Sequence, residues 1–424
     1  MRDLDDVELR ALAFVDEREI VRDLVELVAV PSVSGHDAES DIVHALAERL
    51  GALDLELDLW PLDLPALTAR PDFPGWEVPR TEAWGLVATA ADSRETSTPA
   101  LVLQGHVDVV PPGDLSRWKG EPFAPYLADG RVHGRGTVDM KGGVVAAIAA
   151  VRAVRAAGVR LRRPYALHLV VGEEDGGLGA FGTLARGHRG DACIIAEPTS
   201  GTLTTANAGA LTFEIVVPGL ATHASTSYAG VSAFDAYLAV HEALSDLERR
   251  RNDRVHPLMS EYPLAYPLSV GRVTCGDWAS SVPDRLVAEG RLGVALDEDP
   301  ALARTALEEV VAQVASTHPW LRDHAPAVTW TGGQFASGRY AGDDGHLAGI
   351  VARAHADVTA GPAPRERGAP YGSDLRLYAD AGLPTLHYGP GDVRLAHGPN
   401  ESVPVTELVT VAEALTLSLL RASG

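Results

Sequence analysis

Long apolar runs, cysteine and lysine are all scarce in this 424-residue sequence. No apolar stretch reaches the ~18 residues of a membrane-spanning helix, which argues against a membrane span. The opening MRDLDDVELRALAFVDEREIVRDL is acidic and lacks the apolar core of a signal peptide, so the expected location is cytoplasmic. Cysteine is limited to Cys193 and Cys275, both in apolar surroundings, and buried free thiols are expected rather than a disulfide. Lysine occurs only at Lys119 and Lys141, a skew that reads as coding bias and says little about function. Positive charge is in deficit overall. Lys and Arg total 36 against 58 Asp and Glu, a formal net charge of -22, which disfavours nucleic acid and anionic membranes as partners. Internal repeats and low-complexity segments are also missing.

What is present is the pattern of a soluble α/β protein, 46% hydrophobic and 22% charged, and long enough for two domains. DEREIVRDLVELVAV and DAESDIVHALAERLGA carry apolar residues at helical spacing. Short, wholly apolar runs then alternate with helical ones: PALVLQGHVDVV, GGVVAAIAAVRAVRAAG, YALHLVVG and DACIIAEP. Strands apolar on both faces predict a parallel-rich sheet covered by helices. From Gly209 the style changes. LTFEIVVPG alternates polar and apolar, and a helix, two strands and a further helix follow. This predicts an inserted α+β domain of ferredoxin-like βαββαβ order over residues 209–326, with residues 1–208 and 327–424 forming the larger domain.

Chemistry-bearing residues gather where those strands end. His106 and Asp108 follow LVLQG, two residues apart and therefore on one side of an extended chain. The carboxylate can hold the ring so that its other nitrogen faces a metal, although a histidine at a strand end is also an ordinary structural residue. Asp139 in GRGTVDMKGG lies between a glycine turn and an apolar helix, and a helix cap is the plain alternative. That loop fits neither a phosphate-cradling nor a dinucleotide pattern. YALHLVVGEEDGG ends a buried strand in three carboxylates, Glu173, Glu174 and Asp175, a concentration of charge that burial penalises unless something positive neutralises it. Glu197 follows another strand, and His397 lies in a Gly/Pro-rich loop. Histidines mixed with carboxylates at the carboxyl edge of one sheet suit zinc or a related divalent ion.

The ordered set GHVDVVPPG, GRGTVDMKGG, GEEDGGLGA, AEPT, GLATHAS and AHGPNE resembles the dinuclear metallohydrolase family of acetylornithine deacetylase, succinyl-diaminopimelate desuccinylase, aminoacylase and glutamate carboxypeptidase. The resemblance implies two divalent ions per chain, zinc first, with cobalt or manganese as alternatives. It assigns His106 and Glu197 to one ion and Glu174 and His397 to the other, with Asp139 between them. Asp108 would orient His106, and Glu173 would act as general base. His223, reaching in from the insert domain of a partner subunit, would stabilise the developing oxyanion. The partners implied are a second copy of the chain, forming a homodimer, and a small N-acyl amine or short peptide.

Substrate contacts are less well matched. Ser280 stands where relatives commonly have Asn, and the usual carboxylate-binding arginine falls on Gly293. Arg291, two residues earlier on the same strand face, is the substitute expected to bind substrate, together with Ser280 and Gly389. Gly172 replaces an aspartate common before the paired glutamates, and Asp175 is expected to be solvated or capping. The leading expectation is an amidohydrolase of N-acyl amino acids or related amines. The alternatives are a carboxypeptidase or dipeptidase, a deformylase of an N-formyl aminopyrimidine and, remotely, a non-catalytic metal-binding protein. Glu173 argues against the last, since a pure binder needs no base.

Overall fold

The computed structural model describes residues 4–90, 98–340 and 345–424. The wholly apolar runs form the middle of a nine-stranded mixed sheet. Tyr165–Val170, Leu101–His106, Cys193–Ile195 and Thr385–His387 lie side by side, parallel and buried along their length. Antiparallel strands flank them, Trp84–Thr89 and then Glu56–Pro61 on one side and Leu203–Asn207 on the other.

Strands with no wet face need helices on both sides. Lys141–Ala156 and Val405–Ser423 pack on each other, and with Leu178–Arg186 and Leu375–Asp380 they share one apolar core with the sheet. Each residue of Lys141–Ala156 from Lys141 to Val151 is buried, and Arg152 and Arg155 are ion-paired near its end. No helix among the described residues is long and apolar enough to cross a membrane.

The second sheet has four antiparallel strands, in the order Leu268–Cys275, Arg285–Val294, Gly209–Pro218 and Ala327–Phe335. Gly209–Pro218 alternates buried and half-buried residues throughout. Its inward side chains Leu211, Phe213, Ile215 and Val217 meet Val240 and Leu244 of the helix Ala233–Arg251 and Leu307 and Val311 of the helix Pro300–Thr317. The insert extends one strand beyond the expected boundary at residue 326. Ala327–Phe335 was expected to rejoin the large sheet, yet it pairs with Gly209–Pro218, and the return comes only at Gly338–Arg339. Its alternation of Val328 and Trp330 with Thr329 and Thr331 is the pattern of a strand with one wet face. Cys193 is buried as expected, whereas Cys275 is half-exposed on the outer strand of the small sheet, and both are free.

Candidate active site

Three of the parallel strands deliver the acid–histidine cluster from their carboxyl ends. His106 is the last residue of Leu101–His106 and has no exposure. Its Nδ1 lies 3.0 Å from the backbone carbonyl of Asp108 and 3.5 Å from that residue's carboxylate. Donation from Nδ1 to the carbonyl leaves Nε2 facing Asp139 Oδ1 at 3.1 Å and Glu197 Oε1 at 3.8 Å. His397 Nε2 is 3.0 Å from Glu174 Oε2 and 3.4 Å from Asp139 Oδ2. The two oxygens of Asp139 therefore face two different histidines. Asp139 caps no helix; Met140 precedes the first turn of Lys141–Ala156, without a side-chain cap.

Asp139, Glu173, Glu174, Glu197 and His397 line one cavity of about 260 Å³, with Arg291, Phe335 and Tyr371 also on its wall. Burial pushes the carboxyl groups of Glu173 and Glu197 well above their usual range, and neighbouring carboxylates push the same way. Glu174 is also raised by burial, against the pull of His397. Asp139 goes the other way, because hydrogen bonds from both histidines outweigh its burial. Burial opposes a charge on His106, but Asp108 and Asp139 raise its pKa well above the ordinary value. Glu174, opposed by burial, raises His397 to about 11.

This donor set fits divalent cations. His106 can share an ion with Glu173 and Glu197, or with Asp139 and Glu174. Glu174 Oε1 is buried with no hydrogen-bond partner among the described residues. Crowded carboxylates and an orphaned oxygen mark a place for positive charge, which answers the puzzle of acidic residues ending a core strand.

Several contacts that hold this cluster join residues far apart in the sequence. The Asp108 carboxylate accepts the backbone N–H groups of Glu173 and Glu174, each at 3.2 Å, as well as the Ser34 hydroxyl at 2.9 Å. Its nearest service is thus to the turn bearing the two glutamates. Glu401 Oε1 accepts the N–H groups of Val138 and Asp139 at 2.8 and 3.2 Å, and its other oxygen pairs with buried Arg135. Arg135 in turn donates to the carbonyl of His397. Glu401 lies within the quoted AHGPNE motif, so only its partners were hidden.

The expected substrate residues divide. Arg291 reaches the cavity wall, its nearest carboxylate being Glu77 at 3.9 Å. Gly293 is pressed against Tyr266 and Pro267, where a Cβ would meet backbone atoms at 2.8–3.0 Å, so no arginine fits there. Gly389 is not on the wall. A Cβ there would meet the carbonyls of Ala196 and Glu197 at 2.3 and 2.4 Å, and its N–H and C=O are bonded to Thr199. It clamps the Glu197 loop. Ser280 and His223 are exposed and away from this cavity, with the Ser280 carbonyl accepting the N–H of Ala224 beside His223. His223 Nδ1 accepts the Ser225 N–H at 3.2 Å, which leaves its proton on Nε2. Asp175 is buried and ion-paired, contrary to expectation.

Comparison with known proteins agrees with this architecture. The description "Peptidase family M20/M25/M40" matches residues 102–421. The chain belongs to that family: it is an enzyme, a hydrolase of amide bonds in a metal-dependent family. It is 26% identical over 352 residues to the N-formyl-4-amino-5-aminomethyl-2-methylpyrimidine deformylase of Halalkalibacterium halodurans, covering 78% of this chain and 81% of that one. It is 30% identical to the succinyl-diaminopimelate desuccinylase of Xanthomonas campestris pv. campestris, over 74% of this chain and 81% of the relative. Human carnosine dipeptidase 1 shares the fold, with a TM-score of 0.73 at 16% identity, covering 98% of this chain and 99% of that one.

Proposed function

We propose that this protein removes an acyl group from a small N-acyl amine, with Glu173 as the base for the attacking water. The observation that carries this reading is the single cavity of about 260 Å³ in which Glu173 stands beside Asp139, Glu174, Glu197 and His397. His106 and Glu197 would hold one divalent ion, Glu174 and His397 the other, and Asp139 both. When bound, the ions, zinc or else cobalt or manganese, supply Lewis acidity that polarises the scissile carbonyl and acidifies the attacking water. Glu173 takes the water's proton and carries it to the departing nitrogen. Its raised pKa suits a group that must hold that proton before releasing it. Asp108 fixes both the ring of His106 and the glutamate turn.

The active form is a homodimer in the cytoplasm. His223 carries a proton on Nε2 and lies off its own chain's cavity, which supports donation to the oxyanion of a partner's site. Leu268–Cys275 is the outer strand of the small sheet, its far edge unpaired among the described residues, and beside it the helix Ala233–Arg251 leaves Phe234 and Leu238 about half exposed. Both features suit pairing of two insert domains.

One observation favours a narrower reading, the deformylation of an aminopyrimidine-like amine. The position that would carry a carboxylate-binding arginine is closed at Gly293, and Arg291 is partly offset by Glu77. Phe335 and Tyr371 offer aromatic surface instead. The metal-loaded protein should be screened against N-formyl, N-acetyl and N-succinyl amines and dipeptides. The reading predicts fastest release from an N-formyl aromatic amine lacking a carboxylate. Exclusive cleavage of dipeptides would overturn it in favour of a peptidase.

A further inference from the structure

Glu173, Glu174 and Asp175 close one strand, but only the two glutamates face the cavity. Asp175 Oδ2 instead accepts Arg80 Nη1 at 2.9 Å and the backbone N–H groups of Glu77 and Val78 at 3.2 and 3.0 Å. Arg80 also grips Glu39 with two prongs, Nε to Oε2 at 2.8 Å and Nη2 to Oε1 at 3.0 Å. The side chains of Arg80, Glu39 and Asp175 are 1, 3 and 5% exposed.

The grip closes into a ring of contacts around the base. Glu39 Oε2 accepts the Gly35 N–H at 2.6 Å, and the adjacent Ser34 donates to Asp108. Asp108 accepts the N–H groups of Glu173 and Glu174. The turn is thus held through its backbone by Asp108 and through Asp175 by Arg80, and both holders are anchored to Ser34–Glu39. Gly172 leaves room for this, since a Cβ there would come within 3.2 Å of Arg80 Nη2.

Replacing such a buried triad whole by apolar side chains is often neutral for stability, so its presence asks for a role beyond stability, whereas removing Arg80 alone strands two buried carboxylates and lowers stability. We propose that Arg80 is a positioning residue, holding the Glu173–Asp175 turn so that the Glu173 carboxylate meets the attacking water. It lies outside the cavity wall and acts only through that turn. The proposal rests on Glu173 being the base.

The test compares Arg80→Met and Arg80→Lys, alone and combined with Glu173→Gln, by kinetics, metal titration and thermal melts. Lysine keeps the charge but cannot span Glu39 and Asp175 with one planar fork. Each single variant should lose ~10–100-fold in kcat, with KM within about threefold and metal content unchanged. Combined with Glu173→Gln, the Arg80 change should cost less than about twofold more, since both act on one step. A lower melting temperature with unchanged kcat would overturn the proposal, as would a loss that simply multiplies the Glu173→Gln defect. If Arg80→Met does not fold, Arg80→Lys and Asp175→Asn carry the same comparison. A fully active Glu173→Gln would remove the base assignment itself, and the role of Arg80 with it.

Discussion

Glu401 and Arg80 sit in two differently legible places. The proposed ligands were readable because each lies in a local pattern, an apolar run or glycine turn followed by an acid or a histidine. Glu401 was quoted within such a pattern, but its bonds to Val138 and Asp139 join residues more than 260 positions apart. Nothing around Arg80 announces a buried guanidinium, because its partners come from a distant helix and a distant turn. His168 was equally silent inside the apolar run YALHLVV. It is fully buried, with Nδ1 3.0 Å from the Tyr378 hydroxyl, and burial, aided by the field of His188, lowers its pKa to about 3. The unfolded chain takes up that proton near ~6.5, whereas the native state refuses it until about 3. The stability due to neutral His168 is therefore whole above ~6.5 and declines as pH falls through this window, by ~2 kcal/mol between pH 7 and pH 5. Thermal melts at those two pH values should show a smaller drop for His168→Gln than for the parent. Equal drops would contradict this.

Elements were legible wherever one residue pattern repeated. The parallel strands and the helix Lys141–Ala156 follow from unbroken apolar runs, and Gly209–Pro218 from strict alternation. Ala327–Phe335 was misassigned although it alternates too, because its glycines Gly332 and Gly333 interrupt the pattern just where the pairing register shifts. The fit between elements was not legible at all. The backbone of Ala196 and Glu197 is squeezed between Gly389 and Gly143, where an added Cβ on Gly143 would lie 1.9 Å from the Ala196 carbonyl oxygen. Gly143→Ala suits a helix in isolation, yet here it should cost ~1–3 kcal/mol by overpacking and displace Glu197. Calorimetry and metal titration would test this. Unchanged stability together with unchanged metal affinity would show that the helix can shift freely.

At the scale of the whole molecule, the large domain supplies the acid–histidine cluster and the insert supplies Arg291 and Phe335 to the cavity wall. The insert also presents His223 away from that cavity, so subunit mixing can reveal what it serves. In a homodimer built as proposed, one His223→Ala chain paired with one Glu173→Gln chain contains one intact site. Equal mixing of the two inactive proteins should restore up to about a quarter of full activity. No recovery despite demonstrated subunit exchange would confine His223 to its own chain or to no role. The central claim is that adjacent glutamates divide the chemistry, one as base and one as ligand. Measuring turnover and bound metal together in Glu173→Gln and Glu174→Gln tests it most directly. Glu173→Gln should lose ~10²–10⁴-fold in rate while keeping two ions per chain, whereas Glu174→Gln should lose rate and metal together. Near-normal turnover in Glu173→Gln, or loss of metal from it, would contradict the account.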